Sequence, residues 1–413
     1  MRPSLSFHRD GGSRNAAILA LCQGLFTCAI SIDLTLTALT GWQLAPDKAL
    51  ATLPFALITV AGAVVTWFAA FLIQRLGRRW SFVLGAASCC VGGLISVWSV
   101  WHAHFWSFCV GTALVGVFQA FAQYYRLAAA DAVDEPAKSR AISTVLAGGV
   151  IAALVGPALA AWSKDWFPTA LFAGAYLVVA GMGLLSVLVL VLFYRDQREP
   201  AAAAPSQAEP APARPLTVIA RTPVFMASVA NNVAGSMVMM FIMTAAPLAA
   251  VACHHGIDDG AAIIQWHLVG MYAPSFFAGR LIQRIGLGPV LLAGLGMNLG
   301  CALIAMQSTT LPAFYVALLL LGVGWNFMFV GGTTLLAQSY TPAERAKTQG
   351  LAELMRYAAT ALATLGAGPL LARFGWATLN AAILPVLLLS ALVTLRWMWA
   401  RRAGRTALAA GLR

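Results

Sequence analysis

Acidic residues are scarce in this chain. Only 14 of its 413 residues are Asp or Glu, and charged residues of both signs make up 10%. Soluble domains carry about 25% charge. A chain of this length can bury a large core, but without a charged surface it cannot cover itself in water. Several reactive patterns are also missing. The seven cysteines show no paired spacing, which argues against a disulfide framework or a zinc site, and six of them lie inside apolar runs. No Gly-x4-Gly-Lys-Ser/Thr loop is present to cradle nucleotide phosphates. Neither a His-Glu-x-x-His pair nor a Gly-x-Ser-x-Gly elbow offers intramembrane catalysis, so the chain is not read as an enzyme. No sizeable soluble segment offers a sensor output domain. Cys253-His254-His255 is the one cluster to weigh as a metal site, and it reads better as ordinary loop residues. No metal or cofactor is expected.

Apolar sequence fills the chain instead, at 60% of residues. Runs of about 20 apolar residues, the length of a bilayer crossing, predict twelve helices. In the first half they fall near 16–40, 51–73, 80–101, 105–130, 141–161 and 168–194. In the second they fall near 222–251, 261–282, 289–308, 312–336, 349–372 and 376–398. Alternating polarity is absent, so a barrel is not expected. The first run ends in no small-residue cleavage pattern and is read as a retained span. Between the two sets, 195–219 is rich in Ala and Pro (Pro200, Pro205, Pro210, Pro212, Pro215) and reads as a linker. The expected domains are 1–194, 195–219 and 220–413.

The halves repeat one another. Leu72-Ile73-Gln74-Arg75-Leu76-Gly77 returns as Leu281-Ile282-Gln283-Arg284-Ile285-Gly286, an offset of 209 residues (283 − 74) that also relates Lys138 to Lys347. Such duplication is how many transporters are built. Gly77 and Gly286 suit a tight turn between helices. With both termini inside, 23 of the 26 Lys and Arg residues fall on inward tails, loops and span ends; only Lys48, Lys164 and Arg373 face outward. Four of the 23 (Arg126, Arg280, Arg356, Arg396) lie in or near spans. This asymmetry explains the net charge of +12 without nucleic acid. It predicts a multi-pass protein of a bacterial inner membrane with cytoplasmic termini. Nothing in the sequence sets an oligomeric state, and a monomer suffices.

Six plus six spans, a central linker and a duplicated basic turn after span two of each half resemble the major facilitator superfamily, over nearly the whole chain. The family's turn motif is matched by Ala70-Phe71-Leu72-Ile73-Gln74-Arg75-Leu76-Gly77-Arg78-Arg79, except that Ala70 stands for a Gly and Gln74 for an Asp. The second copy keeps its Gly (Gly279) and again has Gln283. The resemblance implies two pseudo-symmetric six-helix bundles around a midplane solute site, driven by an ion gradient. It also implies a latch built on the missing Asp, for which Asp131 is a substitute partner of Arg75 or Arg78. Gly156-Pro157 in span five is similar to the Gly-Pro motif of proton-coupled exporters, with Ala160 and Ala161 in place of two glycines; Gly368-Pro369 is a like pair in span eleven. Close helix packing explains both nearly as well.

Polar groups at bilayer depth are the site candidates. Asp33, in Ile32-Asp33-Leu34-Thr35, is similar to the first-span segment of proton-driven multidrug antiporters. An ionised Asp there costs about 2.5–3.5 kcal/mol even on a lenient insertion scale, so Asp33 is the leading proton or cation group. Arg126 is a candidate to hold an anionic solute or the Asp33 carboxylate, or else to snorkel to the surface. His267 titrates near neutral pH when unperturbed, although a lone His more often packs. Gln119, Gln123 and Tyr124 cluster with Arg126 along span four. Asn231, Asn232, Gln265, Asn298, Trp325 and Asn326 offer hydrogen bonds to a solute or across helices. Glu353 and Arg356 read as a structural pair, and Met237, Met239 and Met240 as core. The first expectation is proton-coupled efflux of drug-like or metabolite compounds. The second is uptake of a vitamin-like aromatic solute such as riboflavin, which the amides and aromatics suit without selecting.

Overall fold

The computed structural model describes residues 6–133, 135–196 and 214–411. Among the described residues there is no strand. The helices are α1 (Ser6–Leu44), α2 (Leu53–Trp101), α3 (Phe105–Ala122), α4 (Tyr125–Asp131), α5 (Glu135–Ser163), α6 (Ala173–Phe193) and α7 (Leu216–Ala220). They continue with α8 (Pro223–Ala252), α9 (Ile257–Tyr272), α10 (Ser275–Ile285), α11 (Leu287–Gln307), α12 (Leu311–Ala337), α13 (Arg345–Ala381) and α14 (Leu384–Gly411). The chain divides into two compact units, Met1–Ser206 with Gly260–Gln265 and Gln207–Asp259 with Trp266–Arg413.

Each apolar run found in the sequence carries helix. A helix satisfies its own backbone, which lipid requires. Spans two and three appear as one element, α2, because the chain turns on the single residue Gly77, at φ 78° and ψ 168°. Only glycine reaches that region without strain. The stretch Lys347–Ala403 is likewise long enough for two crossings. Ends are set by familiar caps. Thr222 Oγ1 accepts the Phe225 N–H ahead of Pro223 in the first turn of α8. Asp259 Oδ2 accepts the Gly256 N–H at the start of α9. Large apolar side chains such as Phe68, Leu192, Leu362 and Trp399 point outward, where lipid rather than water must cover them.

Span four runs as expected over Phe105–Asp131, with a turn at Gln123 and Tyr124 between α3 and α4 that keeps right-handed helical dihedrals. Three sequence boundaries are corrected. Span eight is not continuous over 261–282; it breaks at Ala273 and Pro274, where proline removes a backbone donor. Span six starts at Ala173 rather than 168, since 164–172 is a chain of turns. Span twelve has its long helix from Leu384; Gly375, at φ 77°, sets residues 376–381 apart as a short helical stretch. The linker is also shorter than 195–219 at its far end. α7 is a helical turn whose Ile219 packs on Phe225, Val229, Leu336 and Ala352.

Within the first unit, α1 packs on α5 and α6, and α2 on α3. A Cβ on Gly148 would lie 2.2 Å from the Ala20 carbonyl oxygen, and one on Gly156 2.4 Å from Ser31 Cβ. The Gly-Pro segment of span five is therefore where α5 crosses α1, two residues from Asp33. In the second unit, α8 packs on α12, α13 and α14, and α11 on α12.

Candidate functional site

The polar interior of the first unit is built on one face of α1. Residues 33, 37 and 40 recur at helical spacing, so their side chains stack along that face. Asp33 is fully buried. Thr37 Oγ1 donates to its Oδ1 at 3.0 Å. Thr40 Oγ1 donates to the Leu36 carbonyl at 3.0 Å. From α6, the buried Tyr176 hydroxyl lies 3.0 Å from Thr40 Oγ1 and 3.3 Å from Thr37 Oγ1. Phe108 packs edge-on against the Tyr176 ring. Asp33 Oδ2 has no hydrogen-bond partner among the described residues. The result is a chain of hydroxyls ending on a carboxyl with one oxygen to spare, enclosed by packed helices. Among the described residues its one hydrogen-bond partner is the Thr37 hydroxyl.

Arg126 does not hold that carboxyl. It is exposed on α4, and the recorded partner of Asp33 is Thr37. Gln123 and Tyr124 form the turn between α3 and α4, and Arg126 follows in the first turn of α4. Gln119 lies against Gly62 of α2. Gln123 and Tyr124 are half-buried at the turn, with the Tyr124 hydroxyl 3.4 Å from the Thr66 carbonyl.

In the second unit the buried polar groups bridge helices. Asn231 Nδ2 donates to the Ala227 carbonyl and to Thr394 Oγ1 on α14, both at 2.8 Å. Asn298 Nδ2 donates to the Gly294 carbonyl at 3.1 Å and lies 3.2 Å from Met328 Sδ. Asn326 Nδ2 donates to the Met271 carbonyl at 2.7 Å and to Ser275 Oγ at 2.6 Å. Asn326 thus repairs the break in span eight, capping a carbonyl left without its helical donor. His267 is fully buried; its Nδ1 is 2.8 Å from the Leu318 carbonyl, so that nitrogen carries the proton. Its Nε2 has no partner among the described residues. Asn232 Oδ1 and Trp325 Nε1 also lack partners among them. Trp325 is half-buried and stacks on Phe329 at 4.8 Å. Gln265 is half-buried on α9.

The turn residues are placed as follows. Gln74, Arg75, Gln283 and Arg284 are exposed. Arg75 lies over the Phe71 ring at 4.3 Å. Arg78 pairs with Asp131 at 2.6 Å, so the turn with Gln74 in the acidic position still has a carboxylate from span four. Asp196 Oδ1 accepts the Arg79 N–H at 3.1 Å. Gly286 adopts φ 88° and ψ 162°, close to Gly77. Glu353 pairs with Arg356 at 2.5 Å. Near the weighed metal cluster, His255 Nε2 bonds to the Thr309 carbonyl; no grouping of three or more metal-ligating side chains occurs among the described residues.

Sequence reasoning missed Thr37, Thr40 and Tyr176. The spacing from Asp33 signals both threonines. Tyr176, 139 residues from Thr37, has no local signal. It also missed the clamp at the linker's end. Glu344, almost fully buried, takes two charge-assisted bonds from the Arg214 side chain, at 2.8 and 2.7 Å. It accepts the Arg214 and Thr341 N–H groups as well. These donors, the Arg214 guanidinium first, hold its carboxyl well below the usual range.

A model of the Major Facilitator Superfamily matches residues 19–273 and 261–411. The riboflavin transporter RfnT of Brucella anthropi is 40% identical over 376 residues, covering 91% of this chain and 94% of that protein. The uncharacterized MFS-type transporter YddS of Bacillus subtilis is 26% identical, covering 82% and 80%. Among solved structures, the nucleoside transporter NupG aligns with a TM-score of 0.64 at 14% identity, covering 93% of this chain and 98% of its own. A bacterial homolog of the human lysosomal transporter Spinster, inward-facing and occupied, aligns at 0.68 and 13%, covering 94% and 96%. These two likenesses bear on the fold alone. A helical, multi-pass, duplicated chain with a full-length family match leaves one assignment: the protein belongs to the major facilitator superfamily and is a transporter of that type.

Proposed function

We propose that this transporter carries a flavin-like aromatic solute, with riboflavin the first compound to try, and that it moves the solute into the cell. The carrying observation is the 40% identity to a riboflavin transporter across nearly both chains. Trp325 on Phe329 offers a flat aromatic wall with a spare indole N–H, and Asn232 a spare amide oxygen. Both suit a planar ring edged with donors and acceptors. This reading replaces drug-like efflux as the leading one. The span-five Gly-Pro that favoured efflux has a packing account in the α1–α5 crossing, and the span-one Asp suits ion-driven movement in either direction.

Asp33 is the proposed proton carrier of an ion-driven cycle of alternating access. Its support is burial, a single hydroxyl donor and a spare oxygen. His267 is a weaker candidate, since its proton-bearing nitrogen already ties α9 to α12. Arg126, Gln119, Gln123, Tyr124 and Gln265 remain candidates for solute contact. The Lys/Arg asymmetry supports an inner-membrane protein with cytoplasmic termini.

Labelled riboflavin accumulation by cells unable to make it, with and without a protonophore, tests the reading. Uptake that depends on the chain and collapses with the gradient supports it. No chain-dependent flux of riboflavin in cells or proteoliposomes refutes the substrate. Loss of preloaded riboflavin from energised cells refutes the direction and restores efflux.

A further inference from the structure

The duplicated turn is filled differently in the two units. In the first, the chain passes Gly77 at φ 78° and ψ 168°, and a carboxylate of the same unit meets the helix that follows: Asp196 Oδ1 accepts the Arg79 N–H at 3.1 Å. A Cβ on Gly77 would lie 2.9 Å from Asp196 Oδ2, so the carboxylate sits directly over the turn. In the second, Gly286 repeats the backbone at φ 88° and ψ 162°, and α11 begins there with no side-chain cap. The residues 209 places on from Arg78 and Arg79 are Leu287 and Gly288. Here a cavity of about 330 Å³ opens instead, bounded by Gly286, Gly288, Trp397, Arg401 and Arg402. No carboxylate is among its lining residues. Trp397 also walls a smaller neighbouring hollow of about 40 Å³ that Arg221 and Arg396 line. Trp397 thus walls two hollows that four arginines help to line, with the Arg401 guanidinium 5.7 Å from its ring.

The first copy shows what this turn accepts: an anion, at the free N–H groups of a helix start. The second copy offers the same backbone with arginines in place of the carboxylate. Its position is at the arginine-rich ends of spans nine and twelve, which the Lys/Arg asymmetry assigns to the cytoplasmic leaflet. The indole and Met398 beside the arginines give an apolar floor under a cationic rim. That combination fits a phosphate still attached to acyl chains better than a free ion, and basic pockets between span ends are where anionic headgroups bind. We propose that this cavity is a headgroup site for an anionic phospholipid of the inner leaflet, with Arg401 and Arg402 gripping the phosphate.

The test is native mass spectrometry of the full chain titrated with phosphatidylglycerol and with phosphatidylcholine of the same acyl chains. The wild-type protein retains phosphatidylglycerol in preference. Arg401→Gln/Arg402→Gln loses about tenfold or more of that affinity. Arg401→Lys/Arg402→Lys keeps most of it, and Arg373→Gln, exposed at the opposite end of span eleven, keeps all of it. Equal retention of the two lipids by the wild type overturns the proposal. So does undiminished preference in the double Gln variant, or an equal loss in Arg373→Gln. Displacement of the lipid by millimolar inorganic phosphate assigns the cavity to a free anion and overturns the lipid as occupant. If the double Gln variant does not fold, wild-type selectivity and the phosphate competition still decide.

Discussion

The two units share a backbone plan and use opposite chemistry on it. In the first, buried polarity is a row of hydroxyls leading to Asp33, and the turn at Gly77 is held by Asp131 and Asp196. In the second, amides and one imidazole among the buried polar groups tie helices together, and the turn at Gly286 faces arginines. A hydroxyl row can reorient and leaves a carboxyl free to change its proton. Amide ties fix helix positions, and here one repairs a broken span. Duplication kept what the backbone needs, a glycine at positive φ. Side chains, free of that constraint, differ: one copy buries a carboxyl beside hydroxyls, the other ties helices with amides.

The sharpest way to break this comparison is to exchange the two buried titratable groups for neutral ones. Asp33→Asn keeps a side-chain oxygen for Thr37 but cannot take a proton. We expect coupled transport to fall to background while the protein remains folded by size-exclusion chromatography. His267→Gln keeps a donor for the Leu318 carbonyl and should retain most uptake. The reverse pattern would place coupling in the second unit.

Gly77→Ala and Gly286→Ala come next. Each forces a side chain into a glycine-only region, at about 1–3 kcal/mol. Gly77→Ala adds a 2.9 Å clash with Asp196, whereas the space at Gly286 is open, its nearest neighbour 4.0 Å away. The Gly77 variant should show the larger drop in thermal midpoint. Asn326→Ala strips the Met271 carbonyl at the break and should cost about 1–3 kcal/mol, read in the same assay. Thr37→Ser, which keeps the donor, should cost little.

Smaller effects concern the clamps. Glu344 is held below its ordinary value near 4.5 by Arg214. A carboxyl depressed in the folded state contributes stability above the unfolded pKa and loses it as pH falls through the folded one. The stability gap between wild type and Glu344→Gln should therefore be full at neutral pH and shrink on acidification below about 4.5. A gap that widened on acidification would reverse the sign. Asp131→Asn removes a half-exposed ion pair, worth about 0–1 kcal/mol, and salt should mask its effect.

Much of the architecture was legible. Apolar length located all the spans, and the repeated Leu-Ile-Gln-Arg-x-Gly marked both turns. The break in span eight had a signal, Pro274, which the apolar run around it masked. The turn at Gln123 and Tyr124 within span four had none, because neither residue is a helix breaker and the backbone there stays right-handed helical. The site was less legible than the fold. Asp33 stood out because a carboxyl in an apolar run is rare. Asn326 stood out as a polar amide in an apolar run, but sequence could not say that its amide meets a carbonyl 55 residues away. Arg126 was open to several readings, and its exposure on α4 decided only against its holding the Asp33 carboxyl.

The sequence by itself determined the solvent, the count of crossings, the duplication and the position of the turns. Those follow from composition, run length and the one residue type that tolerates positive φ, all of which are properties of short stretches. Tertiary structure alone decided which polar groups meet: Tyr176 with Thr37 and Thr40, Asn326 with Met271, Asp196 with the Gly77 turn, and Arg401 and Arg402 with the hollow beside Gly286. These meetings join residues dozens to more than a hundred positions apart in the sequence. Their geometry depends on how side chains pack between helices, and no local pattern encodes that.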